Sequence, residues 1–314
     1  MKISENCIIH GMNELVYHAD PCVEPSASRS FLQTLVSQTP QHAFMTHPRF
    51  NPDYKSDDKK EFDFGSAAHD YILEGGSRVE IIQFDDYRKD VAKEARDNAL
   101  AAGKCPIIAH KFPIVEAMAD AAKKQIAAHG DYPDGLTNGK PEGAIFWNED
   151  GTWFRTKPDW IQNDDGWLED YKTTGISGGP DQWIHGTFFD KGYDVQAYMG
   201  LRGYNKVTGR KAKGFRFWVQ EDFEPYSVYC VIPDPLTLDI AEQKFFFGKM
   251  MFERCRDSGR WPGYSNKAYV AVPNFKAEKL YEEIKLKKQA IETNDGNMLK
   301  IMTDWQKPHE RKSA

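Results

Sequence analysis

Apolar residues recur at helical spacing in residues 26–37, where Ala27, Phe31, Leu32 and Leu35 share a face behind Pro25. That spacing predicts an amphipathic helix, which Pro40 ends. Residues 51–61 are polar and contain proline, as a loop does, and 64–74 then read as a second helix that carries His69 and is closed by Gly75-Gly76. The charged run 85–100 and the alanine-rich run 114–128 have helical periods too, so residues 1–130 are expected to be mostly helical.

The period changes at Gly130. After the turn-rich stretch GDYPDGLTNGKPEG come three runs of β character, 144–147, 152–161 and 167–174, separated by Asn148-Glu-Asp-Gly and Gln162-Asn-Asp-Asp-Gly. These predict a three-stranded meander. The glycine-rich stretch SGGP at 177–180 reads as a loop, 193–207 as a helix, 214–220 and 226–232 as strands, and 235–258 as a long helix with Leu238, Ile240, Ala241, Phe245, Phe246, Met250 and Met251 among its apolar positions. No internal repeat is present, and the lysine-rich end, 276–314, reads as a helix with a frayed tail. The sum is an α/β (α+β) class in which helices flank a central mixed β-sheet. One domain is expected over 1–270, with 1–130 as its helical part and 131–262 as its sheet core, followed by a helical tail over 271–314.

Composition adds bounds. With 314 residues, 40% hydrophobic and 28% charged, the chain is globular and long enough for one elaborated domain. A formal net charge of −6 weighs against a generic polyanion binder, although carboxylates gathered for a metal would themselves lower the net charge. Cys7, Cys22, Cys105, Cys230 and Cys255 are odd in number and far apart, which fits free thiols in a reducing compartment and neither zinc nor iron–sulfur ligation. Without a basic leader or any run of roughly 18 apolar residues, the expectation is a soluble, cytoplasmic protein with no membrane contact.

The candidate chemistry lies in RTKPDWIQNDDGWLEDYKTT, residues 155–174. Residues two apart on a strand share a face, so Asp170 and Lys172 point the same way, and a hairpin brings Asp159 beside Asp170. Two close carboxylates repel unless a cation lies between them, and hard oxygen donors suit Mg2+ or Mn2+. A solvated charged hairpin is the commoner meaning of such residues, because acid-x-Lys triplets also occur at 57–59, 58–60, 242–244 and 283–285. Three further residues are candidates in context: His69 behind the small residues Gly65, Ser66, Ala67 and Ala68; Glu142 at the head of the first β run; and Gln196 on the following helix.

Taken in order, Gly65-x-x-x-His69, Glu142, Lys157-Pro158-Asp159, Asp170-Tyr171-Lys172 and Gln196-Ala197 resemble the PD-(D/E)xK nuclease superfamily. Within it the likeness is to phage-type exonucleases similar to the C-terminal domain of exodeoxyribonuclease VIII, and it spans residues 14–262. The resemblance implies a central mixed sheet flanked by helices. It also implies that His69, Asp159, Asp170 and the backbone carbonyl of Tyr171 are metal ligands, that Lys172 is the catalytic lysine, and that Glu142 and Gln196 support the site. The implied activity is Mg2+-dependent 5′-to-3′ digestion of linear double-stranded DNA in a bacterial or phage-infected cell, with Mn2+ able to substitute. DNA ends, a single-strand annealing protein and a homo-oligomeric ring are the implied partners. Contacts to phosphates would then come from Arg155, Lys157, Arg202, Lys206, Arg210, Lys211 and Lys213. One departure stands out: many relatives carry Gln-x-x-x-Tyr, whereas position 200 is Gly200, with Tyr193 and Tyr198 nearby. Two other readings stay open. One is a non-catalytic DNA- or protein-binding module on the same fold; the other is a single-strand or structure-specific nuclease of the Cas4 or RecB nuclease type.

Overall fold

In the computed structural model, which describes residues 2–54, 64–163, 166–264 and 274–293, the chain opens with strands too short to display a period. These are β1 (Cys7–His10) and β2 (Ser26–Ser28), on either side of the five-residue helix α1 (Glu14–His18). Ser28 then caps α2 (Arg29–Ser37), its hydroxyl accepting from Phe31 N at 3.3 Å. Pro40 does more than follow that helix. It occupies the first turn of a new one, α3 (Pro40–Met45), where its missing N–H costs nothing. Next come α4 (Phe64–Glu74), β3 (Val79–Ile82), α5 (Asp90–Ala101), β4 (Cys105–Ile108) and α6 (Phe112–Ala127). Among the described residues, the first 130 therefore include β1 to β4, strands that the helical expectation missed, because runs of three or four residues carry no readable period.

The second half follows as β5 (Gly139–Pro141), β6 (Gly143–Glu149), β7 (Thr152–Thr156), β8 (Trp160–Gln162), β9 (Trp167–Thr174), α7 (Gly179–Trp183), α8 (Tyr193–Thr208), β10 (Gly214–Glu221), β11 (Val228–Val231) and α9 (Pro235–Ser258). Asp150 and Gly151, both at positive φ (56° and 86°), close the β6–β7 hairpin. The glycine-rich loop expected at 177–180 instead runs into α7 and a π-helical turn at Ile184–Phe188.

The expected meander is split. Its middle run, 152–161, breaks at Lys157-Pro158-Asp159, because Pro158 has no N–H to give a ladder. β7 belongs to a four-stranded sheet of order β1-β6-β7-β2, and β8 to a five-stranded mixed sheet of order β11-β10-β9-β8-β5. A parallel pair, β3-β4, forms a third sheet. The class is α/β with mixed sheets, as expected, and the chain changes sheets at the Pro-Asp.

Both faces of the five-stranded sheet are covered. On one side, Leu168, Phe215, Phe217 and Val219 pack with Val195, Ala197 and Met199 of α8. On the other, Tyr171, Trp160 and Trp218 pack with Ala67, Ala68 and Leu73 of α4 and Val115 and Met118 of α6. Burial on two faces explains why β9 reads as a nearly continuous buried run instead of alternating. Everything to this point lies in one compact unit, Met1–Gly263; a second, Tyr264–Ala314, contains helix α10 (Asn274–Glu292). The expected 51–61 loop from residue 55 onward, Asp164 and Asp165 of the expected turn, and the tail after Thr293 lie outside the described residues.

Candidate active site

Three elements meet where the chain changes sheets. The small residues of α4 let it lie close to the sheet, with Ala67 and Ala68 buried, and this carries His69 to the sheet edge. Its Nε2 stands 3.0 Å from Asp159 Oδ2 and 3.8 Å from Glu142 Oε1. Glu142 sits between Pro141 and Gly143 at φ 52°, a strained conformation for a non-glycine residue, and its N–H donates to Asp159 O at 2.8 Å. His69, Glu142 and Asp159 each offer a ligand atom, all within 4.8 Å of one another.

The β8–β9 register pairs Trp160 with Glu169, so its continuation sets Asp159 opposite Asp170, and Tyr171 N donates to Asp159 Oδ2 at 2.8 Å. Asp170, buried on the α8 side, accepts from Lys172 Nζ and from Gln196 Nε2. The expected alignment of Asp170 with Lys172 on one strand face is thus present, and Gln196 reaches them from α8. Lys172 Nζ also lies 5.2 Å from the centre of the Tyr193 ring.

The electrostatics follow from these contacts. Burial opposes charge on His69, but the Asp159 and Glu142 carboxylates outweigh it and raise its pKa. Asp159 is likewise buried, yet His69, Lys172 and the Tyr171 N–H hold it below the usual carboxylate range. Glu142 moves the other way: burial and the Asp159 charge raise it against the pull of Lys157 and His69. One imidazole nitrogen and two carboxylates at such spacing form a donor set that could hold a metal ion.

Residues 28–271 match the profile of a family described as "PDDEXK-like domain of unknown function (DUF3799)". The chain belongs to this family. No curated protein matches this PDDEXK-like chain. Among solved structures, the crystal structure of a "putative exonuclease" from Eubacterium rectale is similar at a TM-score of 0.52 and 12% identity, covering 84% of this chain and 94% of that one. That likeness concerns the fold, which is the PD-(D/E)xK nuclease fold. The structure of SSO0001 aligns over 57% of this chain and 84% of that one at a TM-score of 0.25 and 12% identity, too low to carry weight.

Several expected phosphate contacts of the PDDEXK-like domain are engaged internally. Arg155 is 4% exposed and spends its guanidinium on Ser26 O (2.7 Å), Ser26 Oγ (2.6 Å) and Asp20 (3.2 Å). Lys157 is largely buried and bridges Glu142 to Glu14. Arg202 pairs with Glu149, donates to Tyr198 Oη at 2.8 Å and stacks 4.9 Å from the Phe246 ring. These three are corrections: charge type on a strand or helix says nothing about which way the side chain faces. Lys206, Arg210, Lys211 and Lys213 are exposed.

The departure at Gly200 has a steric reason. A Cβ there would come 2.8 Å from Phe215 Cε2, so this helix face has no room for tyrosine. Tyr193, the first residue of α8, instead supplies the ring beside Lys172, while Tyr198 donates to Glu242 at 2.7 Å. The contacts of Lys157 with Glu14 and Glu142 escaped sequence reasoning. The only available signal was the Lys immediately before Pro158-Asp159.

Proposed function

We propose that this chain is a divalent-metal-dependent DNA exonuclease that digests linear double-stranded DNA from its ends. The observation that carries this reading is the convergence of His69, Glu142 and Asp159 within 4.8 Å, on the strand edge next to the Asp170–Lys172 pair. His69, Asp159 and Asp170, with Glu142 and the Tyr171 carbonyl, would hold Mg2+, or Mn2+ in its place. Among the described residues the buried Gln196 Oε1 has no hydrogen-bond partner, and an acceptor left unsatisfied beside Asp170 fits a site that takes up a hydrated cation. The ion would supply Lewis-acid polarisation of the phosphodiester and a more acidic water.

The residues divide the remaining work. Gln196 fixes one Asp170 oxygen, leaving the carboxylate's orientation set by α8 as well as by its own strand. Lys172, drawn from Asp170 toward an incoming phosphate, would offset the charge that grows on phosphorus-bound oxygens as water attacks and the bond to the leaving sugar oxygen breaks. The Tyr193 ring over Lys172 limits where that ammonium can go. Lys206 lies ten residues beyond Gln196 on α8, roughly 15 Å by helix rise, so it, Arg210, Lys211 and Lys213 would hold phosphates at a distance from the bond being cut.

The likeness to phage-type exonucleases supports a finer reading: 5′-to-3′ polarity, a single-strand annealing protein as partner, and work in the cytoplasm of a bacterial or phage-infected cell. End-labelled linear and circular duplexes incubated with purified protein and Mg2+ test it. Loss of label from the 5′ ends of linear DNA, with circles intact and Asp170→Ala inert, is expected. An equal loss with Asp170→Ala, or none with the wild type, sinks the reading and favours a non-catalytic module.

A further inference from the structure

Glu142 is held by a segment that the family match does not include. The match begins at residue 28, yet β1 pairs along β6, with His10 opposite Gly143, and the His10 ring bonds Pro141 O at 3.1 Å. From the same segment α1, capped by Asn13 accepting from Leu15 N at 2.9 Å, presents Glu14 to Lys157. The Lys157 ammonium bridges Glu14 Oε1 and Glu142 Oε2, lying 5.7 Å from the centre of the Tyr17 ring. The other Glu142 oxygen, Oε1, faces His69.

This division of the two carboxylate oxygens has a consequence. With Glu142 as its sole partner, Lys157 would neutralise a candidate ligand and compete with a cation for it. Glu14 takes a share of the ammonium's charge and donors, so Lys157 orients Glu142 without cancelling it. Outer partners of this kind commonly set metal affinity by tenfold to a hundredfold, roughly.

We propose that Glu14 and Lys157 are positioning residues for the metal site: residues 1–27 complete it by a Glu14–Lys157–Glu142 chain that aims Glu142 Oε1 at His69 and Asp159. The proposal rests on the metal-dependent reading above. Calorimetric titration of the full chain with Mn2+ tests it apart from activity. Glu14→Gln is expected to weaken binding about tenfold or more, with an unchanged circular dichroism spectrum. In a Lys157→Met background the same change should have almost no further effect, because the path from Glu14 runs through the ammonium. Lys157→Arg, which keeps the charge, serves as the folding control and should bind within a few-fold of wild type, roughly, by the same double-mutant logic. Wild-type affinity in Glu14→Gln overturns the proposal, and so does an undiminished effect of Glu14→Gln in the Lys157→Met background. If the wild type itself takes up no Mn2+ that Asp159→Asn abolishes, the metal reading falls and takes this inference with it.

Discussion

Two neighbouring carboxylates on β9, Glu169 and Asp170, are 0% and 1% exposed and lie on opposite faces of one sheet. Glu169 is saturated. It accepts from Arg216 at 2.6 Å, Trp218 Nε1 at 2.8 Å and Leu136 N at 2.9 Å, and the Arg216 guanidinium is packed 4.6 Å from the Tyr132 ring and 5.0 Å from that of Trp167. Among the described residues, the hydrogen bonds to the Asp170 carboxylate come from a lysine at 20% exposure and from an amide whose own oxygen is unsatisfied. Burial alone does not separate a structural acid from a reactive one. On the proposed reading, what separates them is whether the donors around the carboxylate are all engaged within the core, as for Glu169, or include a part-exposed lysine that could give way to a cation and a substrate, as for Asp170.

The sharpest break would come from exchanging charge for shape on each face. Asp170→Asn should lower nuclease activity a thousandfold or more, about 4 kcal/mol in the barrier, while shifting the unfolding free energy by no more than about 1 kcal/mol. Steady-state digestion of labelled duplex and urea denaturation measure the two halves. If stability collapsed with activity, Asp170 would be structural like its neighbour.

Glu169→Gln should do the reverse. It leaves a buried guanidinium with the half-exposed Asp134 carboxylate, 3.9 Å away, in place of its close counter-charge, at a cost of about 3 kcal/mol of stability, while the folded fraction keeps its activity. Replacing the pair together, Glu169→Met with Arg216→Met, should recover much of that loss, since well-packed apolar groups often do as well as a buried ion pair. Denaturation midpoints decide this, and a double variant no more stable than the single would show that the contacts to Trp218 and Leu136 carry the energy.

The sequence discloses these two acids unequally, for physical reasons. Asp170, Lys172 and Asp159 were legible because a strand's period of two and a hairpin's register are local rules, and His69 because α4 runs over Phe64–Glu74 as its period implies. The Arg216 partner of Glu169 lies 47 residues away, and Glu14 reaches Lys157 across 143; no local period marks such contacts. The same blindness assigned Arg155 to DNA. Its sequence neighbours describe a strand, whereas its partners Asp20 and Ser26 come from the far N-terminal segment.

A third buried group extends the comparison to pH. His47 resembles Glu169 in being enclosed: Nε2 bonds Ser26 O at 3.1 Å and lies 3.5 Å from Asp20. Burial, then the Arg155 charge, lower its pKa to about 4 despite Asp20. Because the folded value lies below the unfolded value of about 6.5, the unfolded chain binds the extra proton between the two. Stability from this group is therefore complete above the unfolded value and declines as pH falls toward the folded one, by about 3 kcal/mol at most. Urea titrations across that window should show the slope, and His47→Gln should flatten it. An equal slope in the variant would assign the acid sensitivity to other groups.

The smallest effect is expected where charge is least enclosed. Arg210 and Lys211 are exposed after the end of α8, with no core to fix them, so whatever they contribute to DNA depends on screening. Replacing Lys211 by Ala should weaken duplex binding by less than about 1 kcal/mol at physiological salt and lower the salt dependence of log K by about one. The change should be the same for every sequence tested, and kcat should stay as it was. Fluorescence anisotropy with the inert Asp170→Asn protein, run over a series of salt concentrations, measures the slope without digestion. An unchanged slope would mean that the duplex does not reach this loop, and that DNA is held close to β9 by the site's own residues. A sequence-dependent change would instead require Lys211 to read bases, which the proposed phosphate contact does not call for.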